Sequence, residues 1–171
     1  MNGLLYHGSY TEVSKIDLLK SYPKKDFGLG FYTTQSKIQA EKFAKIKSAR
    51  NNKLFGFVSV FEFSDKADLK IKKFDKPDIN WLNFVLENRG FSNKIHENDF
   101  DIIIGAVADD IVGLVLNQLI IGTYGEANST EAKQTAIRLL DVEKLYNQVL
   151  FRTQKSIDAL NFKEAYRVKV N

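Results

Sequence analysis

The chain has 171 residues, 44% of them hydrophobic, and no cysteine. That suits one domain (1–171) with a sizeable core, and it excludes disulfides, cysteine nucleophiles and thiolate metal sites. The formal net charge of +4 favours an anionic partner, a dinucleotide or a nucleic acid, although the lysines are scattered along the chain.

No apolar segment followed by a small-residue cleavage site opens the sequence. The longest apolar run, residues 102–121, is interrupted by Asp109 and Asp110, which disfavours a membrane span. The expectation is a cytoplasmic protein with no membrane contact.

Residues 3–7 read as a short buried strand. Gly28-Leu29-Gly30 gives a permissive backbone before a second short strand, Phe31-Tyr32-Thr33. A helix follows, with Ser36 and Gln39 at capping-box spacing and Ala40, Phe43 and Ala44 as its apolar stripe. Residues 54–63, LFGFVSVFEF, are apolar on both faces and rich in Phe and Val, so a buried strand is expected. Residues 68–72 alternate and predict a half-exposed strand. Pro77 and Gly90 bracket a helix over INWLNFVLENR.

Residues 100–108 predict another buried strand, which turns into a helix carrying Val112, Val115, Leu116 and Leu119. Asn128-Ser129-Thr130-Glu131 opens a helix running through Leu140. Residues 148–153 and 165–170 read as strands on either side of a short helix, KSIDAL. Strands that look antiparallel, with helices inserted between them, predict an α+β class.

Three stretches carry candidate chemistry. The first is LLYHGS, which holds His7, one of only two histidines, followed by Gly8 and Ser9. The second is FGLGFYTTQSKIQAEKFA, with Gly30, Tyr32 and Phe43. The third is LYNQVLFRT, with Gln148 at the entry to a buried strand. A lone His near a strand end, a glycine turn without the Lys-Ser/Thr of a P-loop, or a Gln at a strand edge would each be ordinary structure. Their order and company are not. Asp99, Asp101, Asp109 and Asp110 form a carboxylate cluster in sequence, of which the last two are expected to cap the following helix. His96 has no partner at metal-ligand spacing, so no metal is expected.

Together the three stretches resemble the His–Tyr–Glu motif of the ADP-ribosyltransferase superfamily, in its diphtheria-toxin and poly(ADP-ribose) polymerase branch. The nearest likeness is to small bacterial members that share the KDFGLGFY loop and the DFDIIIGAVADD segment. The resemblance implies an ADP-ribosyltransferase-like fold, with two packed, mainly antiparallel sheets around an NAD cleft and inserted helices. It implies NAD as substrate, with nicotinamide released and ADP-ribose passed to a protein or nucleic-acid acceptor.

His7 would then hydrogen-bond the adenosine ribose, and Gly8 and Ser9 would meet the nicotinamide carboxamide. Gly30 would open the loop before Tyr32. Tyr32 and Phe43 would stack on the nicotinamide ring from either side. At 148 this chain has Gln where the family has Glu. An amide oxygen can accept the same ribose hydrogen bond without the negative charge, so transfer of a single ADP-ribose is implied, and Glu at this position would be expected to keep or raise NAD cleavage. Gln154, six residues later, is the rival for the same role. Tyr146, two residues before Gln148, gives no indication of arginine modification. The resemblance also implies a role as a bacterial toxin or defence enzyme with a cognate neutralising protein. The alternative is a module of the same fold that holds NAD or ADP-ribose without transferring it.

Overall fold

The computed structural model describes residues 3–22, 24–64, 68–91, 100–107, 110–140 and 146–170. The described strands are β1 (Gly3–Ser9), β2 (Phe31–Thr34), β3 (Phe55–Phe63), β4 (Ile71–Lys73), β5 (Ile102–Ala106), β6 (Asn147–Phe151) and β7 (Leu160–Lys169). They form a seven-stranded sheet in the order β4-β5-β6-β2-β1-β3-β7. Only the β4–β5 pair is parallel. The helices among the described residues are α1 (Lys37–Arg50), α2 (Ile79–Asn88), α3 (Asp110–Ile120), α4 (Thr130–Leu139) and the single turn α5 (Gln154–Ile157). The class is α+β.

Two packed sheets were expected, and one mixed sheet is found. The reason lies at its centre. β1 pairs with β3 over its whole length, from Gly3↔Phe63 to Ser9↔Phe57, and β2 pairs with β6 at every residue. β1 and β2, however, meet at one registered position, Tyr6↔Thr34. That pair carries the ladder across, so the sheet stays whole but has a seam.

Strand alternation divides the core, because successive side chains point to opposite faces. Phe31, Ile102, Val149 and Phe151 pack with Leu5, Phe61 and Phe63 on one face. Ile103 and Leu150 pack on the other with the buried faces of α2, α3 and α4, and Tyr32 packs against that cluster. α2 starts where the Asp78 side chain accepts a hydrogen bond from Trp81 N, a normal N-cap. It buries Trp81, whose Nε1 donates to Ala106 O at 3.2 Å.

α1 covers β1 and β3 on that second face and is capped by Ser36, which accepts from Gln39 N. Its contact face is unusually small: Ala40 and Ala44 sit on Val58. A Cβ on Gly56 would lie 2.7 Å from Ala44 O, and one on Gly8 would run into Ala40 O. Small residues on both sides let the helix backbone lie almost on the sheet.

Three predicted elements moved. The short strand expected at 68–72 is β4 at Ile71–Lys73, a mostly exposed edge. The helix expected over KSIDAL is confined to Gln154–Ile157, and the strand expected at 165–170 begins already at Leu160. β7 is the other edge and buries none of its residues fully, so little hydrophobic alternation marks its first half. Among the described residues no helix is long and apolar enough to cross a membrane.

Candidate functional site

A cavity of about 310 Å³ opens over the seam, between α1 on one side and the end of α2 on the other. Register puts Tyr6 and Gly8 of β1, Tyr32 and Thr34 of β2 and Gln148 of β6 on one face of the sheet. All five line the cavity, together with His7, and α1 contributes Phe43 and Lys47. The loop before β2 closes one side through Lys24, Lys25 and Asp26. The volume is at the small end of ligand pockets. Among the described residues, no group of three His, Asp or Glu could hold a metal ion.

The loop is fixed from two sides. The Ser21 hydroxyl accepts from Gly30 N and donates to Gly30 O, both at 2.9 Å. The Tyr32 hydroxyl accepts from Phe27 N at 3.2 Å and donates to Gly28 O at 2.7 Å. Burial, followed by the negative charge of Asp26, pushes the Tyr32 phenol pKa upward, so it stays protonated and keeps donating. Gly30 has φ +148°, and a Cβ there would meet Leu150 at 2.5 Å. Gly30 therefore serves the loop's approach to β6 and does not itself line the cavity.

His7 is half-buried, stacked on Phe31 at 4.5 Å between ring centroids. Its Nδ1 lies 2.6 Å from Tyr32 O. A carbonyl can only accept, so Nδ1 carries the proton and Nε2 offers a lone pair. Burial, then the nearby Lys47, push the His7 pKa from 6.5 down to about 3. The ring is neutral, and its one donor is already used across the seam. It can present an acceptor to a ligand, not the donor-and-acceptor pair that an isolated imidazole has.

A pH consequence follows. The folded His7 resists protonation, while the unfolded chain takes it up below pH 6.5, so stability is lost as pH falls. At about 1.4 kcal/mol per unit, wild type is expected to lose on the order of 2 kcal/mol more than His7→Ala between pH 7 and pH 5. Urea unfolding at the two pH values measures this, and identical pH dependence in both proteins would refute it.

Gln148 is buried. Its Nε2 donates to Asp26 Oδ2 at 3.0 Å and, at longer range, to Ala106 O at 3.4 Å. Both partners are acceptors, which fixes the amide orientation and leaves Oε1 as the acceptor it can offer a ligand. Asp26 is buried too, and its Oδ1 accepts from Arg89 Nε at 3.0 Å and Nη2 at 2.6 Å. Gln154 lies on the surface, donating to Asp158 at 2.7 Å. It is not part of the cavity.

The cations are the other unforeseen feature. Lys25 Nζ lies 4.8 Å above the Tyr32 ring. Lys47 Nζ donates to Gly8 O at 2.9 Å and stands 5.6 Å from the Phe43 ring centroid. Burial and then the charge of Lys25 lower the Lys47 pKa from 10.5 to about 8. Among the charged residues lining the cavity, four are basic (Lys24, Lys25, Lys47, Arg89) and one, Asp26, is acidic, which suits an anionic ligand.

Of the residues singled out from sequence, His7, Gly8, Tyr32, Phe43 and Gln148 line one cavity, while Gly30 and Ser9 do not. The packing of α1 on β1 requires glycine at position 8. The space its missing Cβ leaves is filled by the backbone of α1, with Ala44 N 2.8 Å from where that Cβ would stand. Asp101 lies elsewhere, accepting from Thr153 Oγ1 and Lys70 N. His96, Asp99, Asp109 and the side chain of Asp110 fall outside the described residues, and so does the expected capping of α3 by Asp109 and Asp110.

Sequence reasoning missed Asp26, Arg89, Lys25 and Lys47. Asp26 stands inside the KDFGLGFY run, but its partners lie 63 and 122 residues away. A family model described as "Protein of unknown function (DUF3990)" matches residues 4–162. No curated protein matches the chain.

Proposed function

This chain belongs to the DUF3990 family, and we propose that it is an NAD-dependent mono-ADP-ribosyltransferase with an ADP-ribosyltransferase-like fold. The observation that carries the reading is the convergence of His7, Tyr32 and Gln148, from three distant stretches of chain, on one cavity that also holds Phe43. Tyr32 and Phe43 supply aromatic surface for the nicotinamide ring. His7 Nε2 accepts from a ribose hydroxyl, and Gln148 Oε1 accepts from the 2′-hydroxyl beside the reacting carbon. The excess of cations suits the diphosphate.

In the reaction the bond between the nicotinamide nitrogen and ribose C1′ breaks, and its electron pair leaves with nicotinamide, which becomes neutral. Positive charge passes to the ribose. An oxygen or nitrogen of the acceptor, a protein or nucleic-acid group, then bonds to C1′ and gives up its proton. Gln148 contributes an oriented dipole at the carbon where charge develops, the kind of preorganised group that favours a transition state over the ground state. A cytoplasmic toxin or defence enzyme, held in check by a cognate neutralising protein, is the biological setting we infer.

The neutral Gln148 favours one second reading, a domain that binds NAD or ADP-ribose without transfer. Labelled NAD incubated with the protein and cell lysate, split into nuclease-treated and protease-treated halves, separates the two. Label on a macromolecule supports the enzyme and identifies its acceptor class, and binding without label supports the module. For both, NAD at 100 times its dissociation constant adds about 2.7 kcal/mol, or a rise in Tm of roughly 5–10 °C for a chain of this size. A melting curve unmoved by millimolar NAD overturns both.

A further inference from the structure

We propose that Asp26 supplies the negative charge that Gln148 lacks, so that the acidic element of the cavity is a carboxylate–amide pair assembled from the glycine-rich loop and β6. The proposal rests on the NAD reading of the cavity. Asp26 is 8% exposed and Gln148 7%, both line the cavity, and Oδ2 lies 3.0 Å from Nε2. Taking a carboxylate out of water is costly unless it is paired and hydrogen-bonded. Arg89 meets that need through Oδ1 with two hydrogen bonds.

If Asp26 only clamped the loop to α2, Arg89 would suffice, and the second oxygen would have no reason to face the cavity amide. Instead the ion pair turns one carboxylate oxygen to Arg89 and the other to Gln148. A carboxylate receiving the amide N–H draws electron density toward Oε1 and makes it a stronger acceptor. The same contact holds Oε1 away from Asp26. Asp26 is thus a positioning residue that also brings charge to the wall beside the ribose. When the C1′–nicotinamide bond breaks and positive charge passes to the sugar, the Asp26–Gln148 pair answers it without either residue gaining or losing a proton.

This reverses the expectation for Gln148→Glu. A second carboxylate about 3 Å from the first would share a proton with it, so that substitution alone is expected to slow the reaction. The experiment is single-turnover nicotinamide release from NAD by wild type, Asp26→Asn, Gln148→Glu and the double variant, with NAD affinity and melting temperature measured on each. Asp26→Asn is expected to fall about 10²-fold with NAD affinity within a few-fold of wild type. The double variant, which moves the one carboxylate to β6, is expected to recover to within about tenfold of wild type.

Asp26→Asn within threefold of wild type, or a double variant no faster than Asp26→Asn, overturns the proposal. Should Asp26→Asn fail to fold, Gln148→Glu still decides. Its release rate is expected to titrate with a pKa lifted above the ordinary carboxylate range, and a flat profile from pH 5 to pH 8 overturns the pairing. A wild type that neither binds nor cleaves NAD sinks the NAD reading and this proposal with it. A wild type that cleaves NAD while the variants break the pattern sinks the role of Asp26 alone.

Discussion

Gln148→Ala is expected to slow single-turnover nicotinamide release by roughly 10²–10³, the usual cost of removing one preorganised hydrogen bond to developing charge. The backbone of residue 148 pairs with Thr34 on one side and Gly105 on the other, so alanine keeps the strand in place. Asp26 keeps Arg89, and the loop stays tied by Ser21 and Tyr32. NAD affinity should therefore change little, because the contact matters most as the sugar becomes positive. Gln154→Ala is the matched control, since its partner is Asp158 on the surface, and its rate should equal wild type. Equal rates in wild type and Gln148→Ala would remove Gln148 from the chemistry.

Gly8→Ala is expected to cost stability before it costs binding. The position has no positive φ, so the effect is one of space. The added methyl would stand 2.8 Å from Ala44 N and closer still to Ala40 O, and backbone cannot rotate out of the way as a side chain can. α1 would have to lift off β1, carrying Phe43 and Lys47 away from the cavity. Overpacking of this kind costs about 1–3 kcal/mol, sometimes more, which corresponds to a fall in Tm of roughly 2–12 °C. The readout is thermal melting without ligand. A variant that melts like wild type but no longer binds NAD would mean that Gly8 acts through the ligand and not through the helix.

What could be read from the sequence and what could not divides along one physical line. The strands at β1, β2, β3, β5 and β6 announce themselves because each buries apolar side chains, Ser36 marks a helix start by a local hydrogen bond, and Pro77 stands just before the N-cap of α2. His7, Tyr32, Phe43 and Gln148 were visible because each belongs to a short motif. Asp26 was not, since its meaning depends on Arg89 at the end of α2 and Gln148 on β6. Lys47 looked like any solvated helix lysine, and only the closeness of α1 to β1 brings its ammonium to Gly8 O. The start of β7 escaped because an exposed edge strand needs little hydrophobic pattern.

The seam between β1 and β2 has a further consequence. With one registered pair between them, the strand groups β4-β5-β6-β2 and β1-β3-β7 share little backbone bonding and are joined mainly by side chains, Leu5, Phe61 and Phe63 packing on Phe31 and Phe151. The residues facing the cavity are drawn from both: His7 and Gly8 from one, Tyr32 and Gln148 from the other. A ligand lodged there would touch both strand groups at once and so act as a rivet across the junction, adding contacts where backbone bonding is sparse.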